Sequence, residues 1–225
     1  MSPVAPPDGA AARVASVVGE VVRETVRAAG ATGVVLLDDG SPEAGLCAAW
    51  CAAALGDDAV LRLPTPAEDR VRRLVETAGR PFTGSRYELE EAHRFLARLE
   101  AASRNALVAN PINKTALLLG GAVPPEPLLP LGDLYASQVQ ALAGGWSGPE
   151  EVRRLADEAG GVDALDQALV ALLEERRLER DDRSETPSAV RTALLRALHS
   201  SRFARQRCGL IPKLTWRTIG IDLLP

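Results

Sequence analysis

An α/β fold, a parallel sheet covered by helices on both faces, is what this sequence predicts, and two observations predict it. Segments with the length and composition of strands alternate with amphipathic helical segments through the first half of the chain. The strand segments at 34–37 and 106–109 are continuous apolar runs, and that at 59–63 is broken only by Arg62. Strands with one solvated face alternate in polarity; unbroken apolar strands are buried on both sides, which is the condition of a parallel sheet.

Each element has its own warrant. Val14, Val17, Val18, Val21, Val22 and Val26 recur at helical spacing over 10–29, and Gly30 is a natural stop. A buried strand at 34–37 leads into a helix at 45–55 made of Ala, Cys, Leu and Trp. The strand at 59–63 ends at Pro64 and Pro66, which cannot continue a ladder. An amphipathic helix follows at 68–78, then a loop or weak strand at 80–85. The helix at 88–103 is expected to turn Leu89, Phe95, Leu96 and Leu99 inward. A third strand at 106–109 and a short helix at 113–119 complete the alternation. After a proline-rich loop at 120–130 come helices at 132–142, 149–158, 162–180 and 187–203. The charge runs at 174–177 and 179–182 read as a solvated helix end before a joint at 183–187.

At 225 residues the chain needs no more than one domain. We divide it into an α/β core at 10–145, a helical part at 146–212 and a tail at 213–225. A net charge of −4 argues against a nucleic-acid partner, whose phosphates favour a basic face. No apolar run reaches the roughly 20 residues that span a bilayer, and the Pro-rich start lacks the layout of a signal peptide. Cys47, Cys51 and Cys208 are sparse and odd in number, as in reduced thiols, so a cytoplasmic location without membrane partners is expected. Cys47 and Cys51 share a helix face with no histidine near in sequence, and read as small core residues.

In such sheets ligands bind beyond the carboxyl ends of the strands, so the loops after Leu37, Leu63 and Ala109 form the candidate site. The first runs Asp38-Asp39-Gly40-Ser41-Pro42-Glu43-Ala44-Gly45. Its strand–turn–helix layout is that of a phosphate-binding loop, which offers backbone N–H groups and a helix N-terminus to an anion. Its chemistry is the reverse: Asp38, Asp39 and Glu43 place carboxylates where the anion would sit. The same residues also make a plain helix start, with Ser41 as N-cap, Pro42 in the first turn and Glu43 favoured by the helix dipole. Asn113-Lys114-Thr115 is a second helix start, capped by Asn113. His93 and His199 have no matched partners and receive no catalytic role.

The order of these motifs resembles the NAD synthetase family, amide ligases of the adenine nucleotide alpha-hydrolase-like fold, in the ammonia-dependent form without a glutaminase domain. Three blocks carry the resemblance. The family loop Ser-Gly-Gly-x-Asp-Ser aligns with Asp39, Gly40, Ser41, Pro42, Glu43 and Ala44, where Gly40 is kept and Glu43 stands for the Mg2+-binding aspartate. The family segment Gly-Thr-x-Asn-Lys-Ser-Glu is similar to Asn110-Pro111-Ile112-Asn113-Lys114-Thr115-Ala116, followed by a Leu-Tyr-x-x-Gln-Val run at 134–139. Its metal-binding glutamate is Ala116. The third block is Asp157-Glu158 with the 161–169 helix, together with Ser201-Arg202-Phe203-Ala204-Arg205-Gln206, similar to the family's Glu-His-Lys-Arg segment.

The resemblance implies a Rossmann-like sheet, a homodimer, and an adenine nucleotide or dinucleotide ligand. It implies ATP and Mg2+ as cofactors of an active enzyme, with Asp39, Gly40, Ser41, Glu43, Asn113, Lys114, Thr115 and Arg205 as vestigial contacts and Glu43 as the metal ligand. Adenylation needs donors around the departing pyrophosphate and carboxylates on the metal. Alanine stands at three of the family's working positions, Ala116, Ala136 and Ala204, Asp39 brings charge of the wrong sign, and Pro42 removes a donor. An inactive binding or regulatory homologue is therefore the leading expectation. The alternatives are an active amide ligase with a rearranged site and a nucleotide-binding domain without turnover.

Overall fold

Three parallel strands form the sheet in the order β2-β1-β3: β1 at Val34–Asp38, β2 at Val60–Pro64 and β3 at Leu107–Ala109. A computed structural model describes residues 10–77, 79, 81–120, 126–173, 188–200 and 211. The register sets Val34 of the central strand beside Val60 on one side and Leu107 on the other. Because side chains alternate along a strand, β1 splits its apolar run between two cores. Val34 and Leu36 pack on one face with Val18, Val22, Cys47 and Cys51. Val35 and Leu37 pack on the other with Ala97, Ala101 and Val108.

The first face is covered by α1, Ala10–Ala28, lying on α2, Pro42–Leu55. Cys47 and Cys51 are both buried there, and the hydrogen bond from Cys51, with burial, pushes the Cys47 thiol well up. The second face is covered by α4, Arg86–Arg104, reached from β2 through α3, Glu68–Thr77. Between α2 and β2 a 3₁₀ turn at Asp57–Ala59 brings the Ala59 carbonyl so close to Gly33 that an added Cβ would lie 2.1 Å from it, so only glycine fits.

Beyond β3, α5 at Lys114–Leu119 and α6 at Ala136–Ala143 join the sheet to a helical layer. That layer holds α7 at Glu150–Ala159, α8 at Val162–Leu173 and α9 at Ser188–Ser200. It has its own core, in which Leu117, Leu118, Leu129, Leu165, Leu169 and Leu194 are buried.

Several expectations shift. The helix expected at 45–55 begins at Pro42, because Ser41 caps it. The helix expected at 132–142 begins at Ala136. Leu134 ends a tight turn on Leu131, and its carbonyl accepts the Lys114 N–H at 2.8 Å instead of a helical donor. Of the residues expected to turn inward on α4, Phe95 and Leu99 are 54% and 53% exposed. His93, Ala97 and Ala101 take the inner face, since small side chains let the helix lie close on the sheet. The charge runs at 174–182, the joint at 183–187, Arg205 and the tail at 213–225 lie outside the described residues. Among the described residues no helix is long and apolar enough to cross a membrane.

Candidate functional site

A cleft of roughly 560 Å³ opens at the carboxyl ends of the strands, where a parallel sheet places ligands. Its floor and walls come from the loop after β1, from Thr65 beyond β2, from one face of α4, from the 110–116 segment after β3 and from the 147–151 stretch that starts α7.

The loop after β1 is filled by its own side chains. Gly40, at φ +78°, makes a turn that favours glycine, and its N–H donates to Asp38 Oδ1 at 3.0 Å. The Ser41 N–H donates to Asp39 Oδ1 at 3.0 Å, and the Ala44 N–H to Ser41 Oγ at 3.1 Å. Pro42 has no N–H to offer. The N–H groups of Gly40, Ser41 and Ala44 are thus satisfied inside the loop. Asp38 Oδ2 also accepts from Arg62 Nε at 2.7 Å. Burial alone would raise this carboxyl; the Arg62 and Gly40 hydrogen bonds outweigh it and hold Asp38 below the usual carboxylate range.

Glu43 is 6% exposed. One carboxylate oxygen accepts the Ser147 N–H at 3.1 Å and the other the Ser147 hydroxyl at 3.3 Å, tethering the segment before α7 to the start of α2.

The segment after β3 is engaged differently. Asn113 caps α5, its Oδ1 accepting the Ala116 N–H at 3.0 Å. Lys114 is 1% exposed, its Nζ 3.2 Å from Asp133 Oδ1 and 4.6 Å over the Tyr135 ring. The Thr115 hydroxyl donates to Asp166 Oδ1 at 2.6 Å and accepts the Ala136 N–H at 2.9 Å, while Asp166 Oδ2 accepts the Ser137 N–H at 2.7 Å. Desolvation raises the Asp166 carboxyl above its ordinary value, against the pull of the Thr115 and Ser137 hydrogen bonds. These contacts lock α5, α6 and α8 together.

Of the sequence-expected residues, Asp39, Ser41, Glu43 and Asn113 line the cleft, as does Ala116; Gly40 forms the turn at its rim, and Lys114 and Thr115 are buried in the helical layer. Arg205 lies outside the described residues. Sequence reasoning passed over His93, which lines the cleft at 7% exposure with Nε2 2.8 Å from the Leu63 carbonyl. A carbonyl only accepts, so Nε2 carries the hydrogen that reaches it. The signal lay in the helical spacing of His93, Ala97 and Ala101, which together point at the sheet.

Among the described lining residues, Asp39, Glu43, Glu90 and Glu151 face a lone guanidinium, Arg94. Arg94 is already paired with Glu91 at 2.7 Å and Glu90 at 3.6 Å. The described donors do not fit a Mg2+ ion either: Glu43 is taken by Ser147, Ala116 offers no side-chain oxygen, and no three of His, Cys, Asp or Glu converge among the described residues.

No family model and no curated protein matches this sequence. Solved structures do. The ammonia-dependent NAD synthetase of Campylobacter jejuni superposes with a TM-score of 0.61 at 19% identity, covering 91% of this chain and 99% of that one. The fold is that of the NAD synthetases. The NMN synthetase of Francisella tularensis matches at 0.55 and 18% identity over 91% of this chain and 98% of its own. A glutamine-dependent NAD+ synthetase of Acinetobacter baumannii, solved with adenosine diphosphate, matches at 0.50 and 19% identity over 95% of this chain and 48% of that longer one. In the loop after β1, Asp38, Asp39 and Ser41 accept the N–H groups of Gly40, Ser41 and Ala44.

Proposed function

We propose that this chain is an NAD synthetase homologue that has lost the ATP- and Mg2+-dependent adenylation step and serves as a binding or regulatory protein. The observation that carries the reading is the self-satisfied loop after β1, in which the N–H groups of Gly40, Ser41 and Ala44 bond to Asp38, Asp39 and Ser41. A hydrogen bond to a charged group is worth about 1.5–3 kcal/mol. Forgoing two of them is enough to turn a micromolar phosphate site into a roughly millimolar one. Among the described lining residues, four carboxylates add repulsion in the same direction. The adenosine diphosphate bound by the Acinetobacter baumannii enzyme is the ligand this loop would have to hold.

Two measurements test the reading. Incubation with ATP, Mg2+, ammonia and the deamidated dinucleotide is expected to form no NAD above background. Calorimetric titration with Mg–ATP is expected to show nothing tighter than about 1 mM. Micromolar binding without turnover would favour a nucleotide-binding domain, and turnover would favour an active amide ligase. Pairing of two copies in the cytoplasm is part of the same reading, supported by Val17 of α1, which is 43% exposed. Light scattering at the mass of one chain would remove it.

A further inference from the structure

One wall of the cleft is a short strap, residues 144–149, which carries the chain from α6 to α7 and sets Ser147, Gly148 and Pro149 on the cleft. Its hydrogen bonds to the α/β core go through one side chain. The Ser147 N–H and hydroxyl donate to the two carboxylate oxygens of Glu43, at 3.1 and 3.3 Å. Among the described residues, 145–148 make no other hydrogen bond. A segment held by so few bonds lies at the low-stability end of a fold.

Two further observations concern how the strap sits. The Trp146 indole is folded back on Gly148, where an added Cβ would lie 2.2 Å from Trp146 Cζ2. Its Nε1–H is sealed from solvent and has no acceptor. A buried donor without an acceptor is a standing cost of the closed position, and contact with water removes that cost. At the α6 end Gly144 is left-handed, at φ +74°, and supplies a pivot.

We propose that residues 144–149 are a gate on the cleft with Glu43 as its catch. Opening breaks the two Ser147 bonds, turns the strap about Gly144, brings the Trp146 indole into water and widens the cleft on that side. The inference stands apart from the loss of adenylation, since it needs only the bonds between Glu43 and Ser147.

Exchange of the Trp146 indole proton with water reads the open population; NMR of the full chain follows it, and Trp146→Phe assigns the signal. Glu43→Ala removes both bonds and should speed this exchange roughly tenfold or more. Ser147→Ala removes one and should speed it several-fold. Gly148→Ala touches neither partner, but its methyl should dislodge the indole and speed exchange as well. The amides of β1 should keep the parent rate throughout, which separates strap opening from unfolding. Diethylpyrocarbonate labelling of His93, in the cleft on α4, should quicken in Ser147→Ala and Gly148→Ala, with exposed His199 as the internal control. Those two small changes carry the test where Glu43→Ala does not fold. Parent indole exchange in both overturns the proposal, as does an acceleration that β1 shares. Faster indole exchange with His93 labelling unchanged also overturns it, because the strap would then move without opening the cleft.

Discussion

Behind β1, Ser41 caps α2 and accepts the Ala44 N–H at 3.1 Å; behind β3, Asn113 caps α5 and accepts the Ala116 N–H at 3.0 Å. The two helix starts are built alike and used differently. The first lies at the solvent edge of the cleft, and its carboxylates bond to its own backbone. The second is buried, and its side chains reach across to other elements: Lys114 to Asp133, Thr115 to Asp166. The difference bears on the resemblance to the NAD synthetases. Of the residues that keep the family pattern, Asn113 caps α5, while Lys114 and Thr115 tie that helix to its neighbours. The residues that depart from it, at Asp39, Pro42 and Ala116, are those that line the cleft or lead into it. A site can lose its ligand chemistry at small structural cost, whereas a buried polar network cannot lose a member without leaving its partners unsatisfied.

The largest expected effect is at the buried ion pair. Asp133→Asn or Lys114→Met leaves a charge or a donor without its counterpart at under 2% exposure, and should cost about 3–5 kcal/mol in urea unfolding. A single substitution costing under about 1 kcal/mol would mean that the second region is not structural and would break the comparison. Next is Thr115→Val, which strands the Ala136 N–H and one oxygen of Asp166; about 1–3 kcal/mol is expected, with Thr115→Ser largely restoring it.

The caps allow a direct contrast. Asn113→Ala should cost about 2 kcal/mol, because the Ala116 N–H it abandons is buried, and Ser41→Ala about 1 kcal/mol or less at its half-exposed site. Equal costs would show that burial does not separate the two regions.

The smallest effect is in pH dependence, and its sign differs between the regions. Asp38 has its carboxyl lowered by folding, so its contribution is present above the ordinary carboxylate range and is lost as pH falls through the lowered value. Asp166 has its carboxyl raised, so the folded state binds the extra proton, and stability falls as pH rises from the ordinary value through the raised one. Asp38→Asn should flatten the acid limb of a stability–pH curve, and Asp166→Asn should flatten the decline above it. Slopes that change in the same direction in both variants would contradict the assignment.

Most of the fold was legible because its signals are local. The apolar runs at β1, β2 and β3, the valine periodicity of α1, and Ser41 and Asn113 before their helices each act within a few residues. The site was legible only in part. Asp39, Ser41, Glu43 and Asn113 were expected in the cleft and line it, but Lys114 and Thr115, expected beside them, are turned into the helical layer. Phe95 and Leu99 look like core residues by size, and α4 presents them to solvent because its small face lies closer to the sheet.

The alternation of strand and helix, the caps at Ser41 and Asn113 and the reversed charge of the loop after β1 follow from the amino-acid sequence itself, through backbone preference and the period of apolar residues. Tertiary structure decided where the polar side chains spend their hydrogen bonds. It sent Lys114 to Asp133, Thr115 to Asp166, Glu43 to Ser147 and Nε2 of His93 to the Leu63 carbonyl. Those partners lie far apart along the chain, and only packing brings them within the roughly 3 Å at which a hydrogen bond forms.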